Sequence, residues 1–325
     1  MFFTVESSAR LHLGFYTISG GHTAYGSIGV AIEKPRVTVQ VRRSDEVEVR
    51  NLTQVRVEGD VAEVVKSLGL PGAEVGVLEA IPRHVGLGST TQIRLSLAYA
   101  LSRAYGMDWS VRKLAFTLGR GWVSGIGVAA FERGGFILDS GRTVRGGRVQ
   151  EPKSCDDLPK IVYRTPLPED WYFVVAVPKG IRGLDEREER PALEAPKTDR
   201  KLECELHEAV LTGMLPALAR GDAEVFGKAL TKVQRLVGRY FSRWQGGEFC
   251  CWETEEFVEA MLRGGAYGAG QSSWGPTAYG LVEGEESAKR LLENVRRSAE
   301  RIGVEAEIFM TRARNGGFSF SLAGT

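Results

Sequence analysis

The chain has 325 residues, 43% of them hydrophobic and 26% charged, enough to bury one large core or two ordinary ones, and two domains is the better expectation. Its 42 Lys and Arg residues nearly balance 41 Asp and Glu, so no global field draws it toward nucleic acid or an anionic membrane. No run approaches the roughly 20 apolar residues that span a bilayer, and residues 1–6 show neither a basic start nor an apolar run, which predicts an unexported, cytoplasmic protein.

Residues 37–41 alternate apolar and polar with β-branched side chains, 46–50 repeat the pattern, and 74–81 carry a third apolar run, so the first part reads as strands. Apolar residues then recur at helical spacing from Ile93 through Leu97, Ala100, Leu101 and Ala104, with Gly106 placed as a helix stop. A second helix is expected over 110–118, followed by a glycine-rich passage, 119–135, and a short apolar strand, 136–138, ending at Asp139. The polar, proline-containing stretch 149–168 reads as a linker between a domain spanning 1–168 and one spanning 169–325, which opens on a buried strand at 171–177. Two amphipathic helical patterns follow, near 202–218 and 223–236, then a glycine-rich segment, 264–275, and a closing strand, helix and strand at 277–282, 285–302 and 304–310. The charged run 185–190 reads as a solvated loop, with a functional role left open because Lys179 and Arg182 precede it. Cys155, Cys204, Cys250 and Cys251 lack C-x-x-C spacing and read as buried free thiols, not as a zinc site or disulfide framework.

The forty glycines cluster, and the clusters point to chemistry. The most specific is Pro82-Arg83-His84-Val85-Gly86-Leu87-Gly88-Ser89-Thr90-Thr91, between a strand and a helix. Glycines at 86 and 88 let backbone N–H groups turn toward an anion, Ser89 or Thr90 can cap the helix, and the helix N-terminus adds its positive end. A plain strand-to-helix turn would use the same glycines only for positive φ. The three hydroxyl residues Ser89, Thr90 and Thr91, flanked by Arg83 and His84, favour a phosphate or pyrophosphate. Arg10 and His12, two apart on a strand, face the same way and can together meet an anionic group; alone, they read more plainly as a satisfied pair on a strand edge. Ser272 and Ser273 can donate to phosphate or simply form a turn, and Lys179 is a candidate for a second anion.

Residues 82–91 resemble the phosphate-binding motif of the GHMP superfamily, and 264–270 its C-terminal glycine motif, in matching order and spacing. That resemblance implies an α+β, GHMP-kinase-like fold of two domains, the first with a left-handed βαβ unit and the second ferredoxin-like. Kinases of the superfamily typically read S-G-I-D where this chain has Ser124-Gly125-Ile126-Gly127, and a glycine can neither accept a proton nor orient an alcohol. Residues 9–14, 26–31, 86–92, 124–132, 134–137 and 272–277 more closely resemble the β-ribofuranosylaminobenzene 5'-phosphate synthases, nearly end to end. Two departures are Tyr16-Thr17-Ile18-Ser19, where a more acidic stretch is expected, and Trp274, where Phe is usual.

This second resemblance implies condensation of 5-phosphoribosyl 1-diphosphate with 4-aminobenzoate, releasing carbon dioxide and pyrophosphate, in methanopterin biosynthesis. It implies Mg²⁺ carried by the diphosphate, with no protein ligand named, no ATP, and a homodimer. Arg10 and His12 would then be catalytic, and Arg83, Gly86, Gly88, Ser89, Thr90, Thr91, Ser124, Gly125, Gly127, Lys179, Ser272 and Ser273 would bind phosphate groups. Two other readings stand beside it. One is an ATP-dependent small-molecule kinase in which Asp139 or Glu132 replaces the missing carboxylate; the other is a non-catalytic phosphometabolite-binding protein.

Overall fold

In the computed structural model, which describes residues 2–184 and 186–323, two long strands form an antiparallel spine, β1 (Phe2–Ser19) and β2 (Thr23–Arg42). β2 is buried without a break from Ala24 to Ile32, as a strand covered on both faces must be. β3 (Val47–Asn51), α1 (Glu58–Ser67) and β4 (Ala73–Glu79) form a crossover that returns β4 parallel to β3 and antiparallel to β2. α2 (Ser89–Ala104) lies along β1 and β2, with α3 (Val111–Thr117) and α4 (Ile126–Glu132) beside it. β5 (Phe136–Asp139) pairs with β2, and β6 (Arg142–Arg145), β7 (Arg148–Val149) and β8 (Ile161–Thr165) complete that flank. The stretch expected as a linker is therefore built into the first sheet. Its polar composition reflects an edge position, since β8 is exposed along residues 161–164 while Leu158 and Leu167 are buried on either side.

The second sheet opens with β9 (Trp171–Pro178). Helices α5 (Glu186–Leu193), α6 (Arg200–His207) and α7 (Leu215–Arg220) follow, the last two joined by a π-helical stretch at Glu208–Met214 where one continuous helix is expected from the sequence. α8 (Ala223–Gln245) runs longer than its apolar pattern suggests. Asp222 caps Val225 N at 3.0 Å, and Gly246, at φ 85°, ends the helix in the left-handed region. α9 (Trp252–Arg263) escapes the sequence reading because four glutamates interrupt its apolar face of Phe257, Val258 and Met261. β10 (Gly268–Gln271), β11 (Ala278–Glu283), α10 (Glu285–Ile302) and β12 (Ala306–Arg312) close the unit. The sheet order is β10-β11-β9-β12, all antiparallel, which is the ferredoxin-like arrangement. β13 (Ser319–Ala323) then crosses back to pair with β1 in the first sheet.

The two sheets share a core. Trp171 on β9 packs against Phe226 on α8 at 5.0 Å between ring centroids, and Phe226 against Phe136 on β5 at 5.8 Å. Gly268 and Gly270 serve packing: a Cβ at Gly268 would stand 2.0 Å from Gly227 O, and one at Gly270 2.3 Å from Gln234 Cγ, so α8 lies directly on β10. All four cysteines are free, but only three are partly buried; Cys204 is exposed on the outward side of α6, against the expectation of buried thiols. Among the described residues no helix is long and apolar enough to cross a membrane.

Candidate active site

Three segments distant in sequence meet at one end of β1. The glycine loop docks on the turn at 272–277, where Ser272 Oγ donates to Gly86 O at 2.6 Å and Thr277 Oγ1 bonds Val85 O; from the segment after β9, Gly183 N also donates to His84 O at 2.8 Å. β1 is stitched to both, through Arg10 N to Leu87 O at 3.2 Å, Arg10 Nη1 to Gly86 O, and His12 N to Ser272 Oγ at 3.0 Å. His84 at φ 55° and Ser273 at φ 57° hold left-handed backbone without being glycine, a strain that the surrounding hydrogen bonds sustain.

Between these segments runs a cleft with two chambers. The outer one, about 460 Å³, is lined by Gly86, Gly88, Ser89, Thr90 and Thr91 together with His84, Arg94 and Glu63. The inner one, about 110 Å³, is walled by Phe15, Phe241, Phe249 and Trp274, with His12, Gln234 and Gln271 as polar points. Arg10, Thr91, Arg120, Glu189 and Ser273 line both. α2 points its N-terminus into the outer chamber. Its N-cap is Gly88, at φ 80°, with no capping side chain, so neither Ser89 nor Thr90 caps the helix as the sequence suggested. The free first-turn N–H groups remain available to an anion.

Charge around the cleft is uneven. Arg120, 9% exposed, donates from Nε and Nη2 to Thr91 Oγ1 at 3.2 and 3.0 Å. Burial lowers the Arg10 guanidinium to about 10, with Glu189 opposing and Arg120 adding to the shift, so it stays cationic near neutrality. Trp274 Nε1 bonds Glu189 Oε2, which places one carboxylate between the chambers. Burial, then the charge of Arg10, hold His12 down at about 3. His12 is therefore neutral, and because its Nδ1 accepts Gly14 N–H at 3.3 Å, its ring proton sits on Nε2 as a donor.

Some expected site residues lie elsewhere. Arg83 pairs with Asp60 on α1 and donates to Arg56 O at 2.9 Å, because the buried Asp60 carboxylate attracts it away from the loop. Lys179 pairs with Glu305 at 3.5 Å at the outer end of the second sheet, away from the cleft. Ser272 uses its hydroxyl within the loop-to-turn junction instead of facing a ligand. Ser124 and Gly127 line the inner chamber, whereas Gly125 N donates to Asp139 Oδ2 at 2.8 Å. Asp139 also accepts from Ser27 N and Gly141 N, and neither it nor Glu132 lines either chamber, which leaves the kinase reading without its substitute base.

Arg120, Glu189, Gln234, Phe241 and Trp274 were not singled out as site residues from sequence. The available signals were the glycine-rich passage that starts one residue before Arg120 and the charged run, whose described part contributes Glu189; Asp185 itself lies outside the described residues. Where the family resemblance led us to expect acids near 16–19, an acid arrives from α6 instead: Glu203 accepts from Thr17 Oγ1, Ile18 N and Ser19 N at 2.8, 2.8 and 2.7 Å.

The buried His12 and Asp139 set opposing pH dependences. Below its ordinary 6.5 and above about 3, His12 binds a proton only in the unfolded chain, so its contribution to stability is full above 6.5 and is lost as pH falls toward 3. Burial raises the Asp139 carboxyl to about 6, against three backbone donors, so its contribution is full below the ordinary 3.8 and is lost as pH rises through 6. Between about pH 4 and 6 the two nearly cancel. Relative to wild type, in which this pair adds little net slope there, His12→Gln should lose stability with rising pH in urea titrations; parallel curves for the two proteins would refute the assignment.

Residues 56–135 match the GHMP kinases N terminal domain, and residues 214–301 match GHMP kinases C terminal. The chain is 30% identical over 331 residues to the beta-ribofuranosylphenol 5'-phosphate synthase of Methanothermobacter thermautotrophicus, covering 96% of this chain and 97% of that one. The enzyme of the same name from Archaeoglobus fulgidus is 30% identical over 325 residues, with the same coverage. Among solved structures, homoserine kinase from Cytophaga hutchinsonii superimposes with a TM-score of 0.69 at 18% identity, covering 98% of this chain and 97% of that one, which shows a shared fold. Taken with Gly127 at the inner chamber, where kinases of this fold carry an acid, these matches show that the chain belongs to the β-ribofuranosylphenol 5'-phosphate synthase family, built on the GHMP kinase fold.

Proposed function

We propose that this protein transfers the 5-phosphoribosyl group of 5-phosphoribosyl 1-diphosphate to the ring carbon of a para-donor benzoate, with loss of carbon dioxide and pyrophosphate. The observation that carries the reading is the joining of a cationic chamber at a helix N-terminus to an aromatic chamber, with Arg10 and Arg120 at the junction. Anionic sugar diphosphate suits the first and a flat ring the second. The relatives are named for a ribofuranosylphenol, a product reached by this chemistry from 4-hydroxybenzoate; 4-aminobenzoate, expected from the sequence, would give the aminobenzene.

In this mechanism the α2 N–H groups, Arg120 and Arg10 hold the diphosphate and stabilise charge as pyrophosphate leaves. The aromatic walls exclude water from the oxocarbenium-like sugar, and neutral His12 donates from Nε2 to orient the acceptor carboxylate. The ring carbon bearing that carboxylate, enriched by the para donor, forms the new bond; loss of carbon dioxide then restores aromaticity. No proton acceptor is needed on the protein at Gly127, and no ATP takes part.

Among the described residues no group of three or more His, Cys, Asp or Glu side chains could hold a metal by itself. A Mg²⁺ arriving on the diphosphate needs few protein ligands, and Glu63, in the outer chamber, is the one we assign to it. Bound there, the ion would neutralise charge on the departing pyrophosphate. A homodimer and a cytoplasmic location belong to the same reading and rest on the family likeness alone.

The test incubates the protein with Mg²⁺, 5-phosphoribosyl 1-diphosphate and carboxyl-labelled 4-hydroxybenzoate or 4-aminobenzoate, with ATP and candidate alcohols in a parallel tube. Equal release of labelled carbon dioxide and pyrophosphate without ATP is expected, faster with the true acceptor. ATP consumption on an alcohol with no carbon dioxide would replace the reading with a kinase.

A further inference from the structure

Cys250 and Cys251 take no part in the proposed reaction. They lie in the bend between Phe249, on the inner-chamber wall, and α9. Their sulfurs are 3.3 Å apart, and both contact Thr254 Oγ1, at 3.4 and 3.1 Å. The Thr254 hydroxyl donates its own proton to Pro276 O at 2.8 Å, so its oxygen meets the thiols as an acceptor. Cys251 is the N-cap residue of a 12-residue helix, whose positive end favours a thiolate. The hydrogen bond from Cys250 draws the Cys251 thiol down to about 7, while that same bond and burial push Cys250 up. One sulfur is thus a nucleophile near neutral pH, and the other is a proton-bearing thiol in contact with it.

The pair is wired to the cleft. Cys250 N donates to Gln271 Oε1 at 2.7 Å, and Gln271 Nε2 donates to Ser273 O at 3.0 Å. A Cβ at Gly275 would stand 2.4 Å from Cys250 Sγ, so the sulfur is seated against the turn that carries Ser273 and Trp274. We propose that Cys250 and Cys251 form a reversible two-thiol modification site, oxidised to a vicinal disulfide by low-molecular-weight disulfides, and that closing this bond loosens the 271–277 wall of the cleft.

The step is a pair of exchanges. The Cys251 thiolate attacks one sulfur of the external disulfide, forming a mixed disulfide and expelling a thiolate. Cys250 releases its proton to water, attacks Cys251 Sγ and expels the second thiolate. Protein dithiol plus external disulfide becomes protein disulfide plus two external thiols, with two electrons passing to the reagent. The sulfurs must close from 3.3 Å to about 2.0 Å, which moves Cys250 Sγ from its seat against Gly275.

The test uses the full chain carrying Cys155→Ser and Cys204→Ser, so that only the pair can react, treated with 2-hydroxyethyl disulfide at neutral pH. Mass spectrometry should find a chain lighter by two hydrogens, with no retained hydroxyethylthio group, restored by dithiothreitol. Adding Cys250→Ala, or Cys250→Ser if the alanine variant is poorly folded, should trap a mixed disulfide at Cys251. Adding Cys251→Ala should slow reaction at Cys250 by at least about tenfold, since burial still holds the remaining thiol up and it lacks the N-cap position of α9. Hydrogen exchange over 271–277 should quicken in the oxidised protein. Stable mixed disulfides on both cysteines, equal reactivity of the two alanine variants, or unchanged exchange at 271–277 would each overturn the proposal, and none of these readouts depends on the enzyme's reaction.

Discussion

Arg120→Met is expected to lower kcat/KM by about 10²–10³ while leaving the protein folded. Arg120 is buried, lines both chambers and holds Thr91 Oγ1 through two N–H donors beside the α2 N-terminus. In the proposed reaction its charge would act where the bond between ribose and diphosphate breaks, and methionine replaces the stem but not the charge. Because pyrophosphate carries more charge as it departs than while bound to the sugar, the loss should fall mainly on kcat. Arg83→Met makes the contrast. Its guanidinium serves Asp60, which keeps only Arg94 after the change, so the expected loss is one of thermal stability, with kcat within about threefold of wild type. Steady-state rates and thermal midpoints of both variants decide the matter; equal activity losses would put Arg83 back in the site.

Gly86→Ala is expected to destabilise the fold by about 3 kcal/mol and to abolish measurable turnover. At φ 85° an L side chain already costs about 1–2 kcal/mol, and the new Cβ would stand 2.4 Å from Ser272 O and 3.1 Å from Gly275 O. Both obstacles are backbone, so the loop must retreat from the turn, breaking the 2.6 Å bond from Ser272 Oγ and parting the segments that frame the cleft. Gly21→Ala is the control. It has a similar φ, 81°, but nothing within 4 Å of the added Cβ, so urea titration should show the strain alone. Similar losses at both positions would mean that the docking contact contributes nothing.

The parts of the site that could be read from sequence are those whose chemistry is local. Gly86, Gly88 and the hydroxyls that follow announce themselves because positive φ and an uncapped helix start share one short stretch. Arg83 misled because adjacency in sequence says nothing about which way a side chain turns; its partner sits on α1, a helix that the sequence reading passed over. Arg120, Glu189 and Trp274 were hidden for a different reason. Each is an ordinary surface-compatible residue until segments that are far apart in the chain fold against one another. The linker reading failed on an edge strand, whose exposed residues have the composition of a loop. The ferredoxin-like unit was partly legible because its closing strand, helix and strand keep clean periods, and α9 was missed where glutamates blurred them.

β1 carries Arg10 and His12, yet one of its edges is completed by β13, and His12 N reaches across the chain to Ser272 Oγ. Such pairings close loops nearly as long as the chain, and loop closure of that span is slow. During synthesis the segment bearing Arg10 must wait for a turn 260 residues further along before its side of the cleft can close. The cleft can therefore take shape only after the 272–277 turn has been made, and shorter chains, which have exposed strand edges and no working site, are the forms that would need a chaperone.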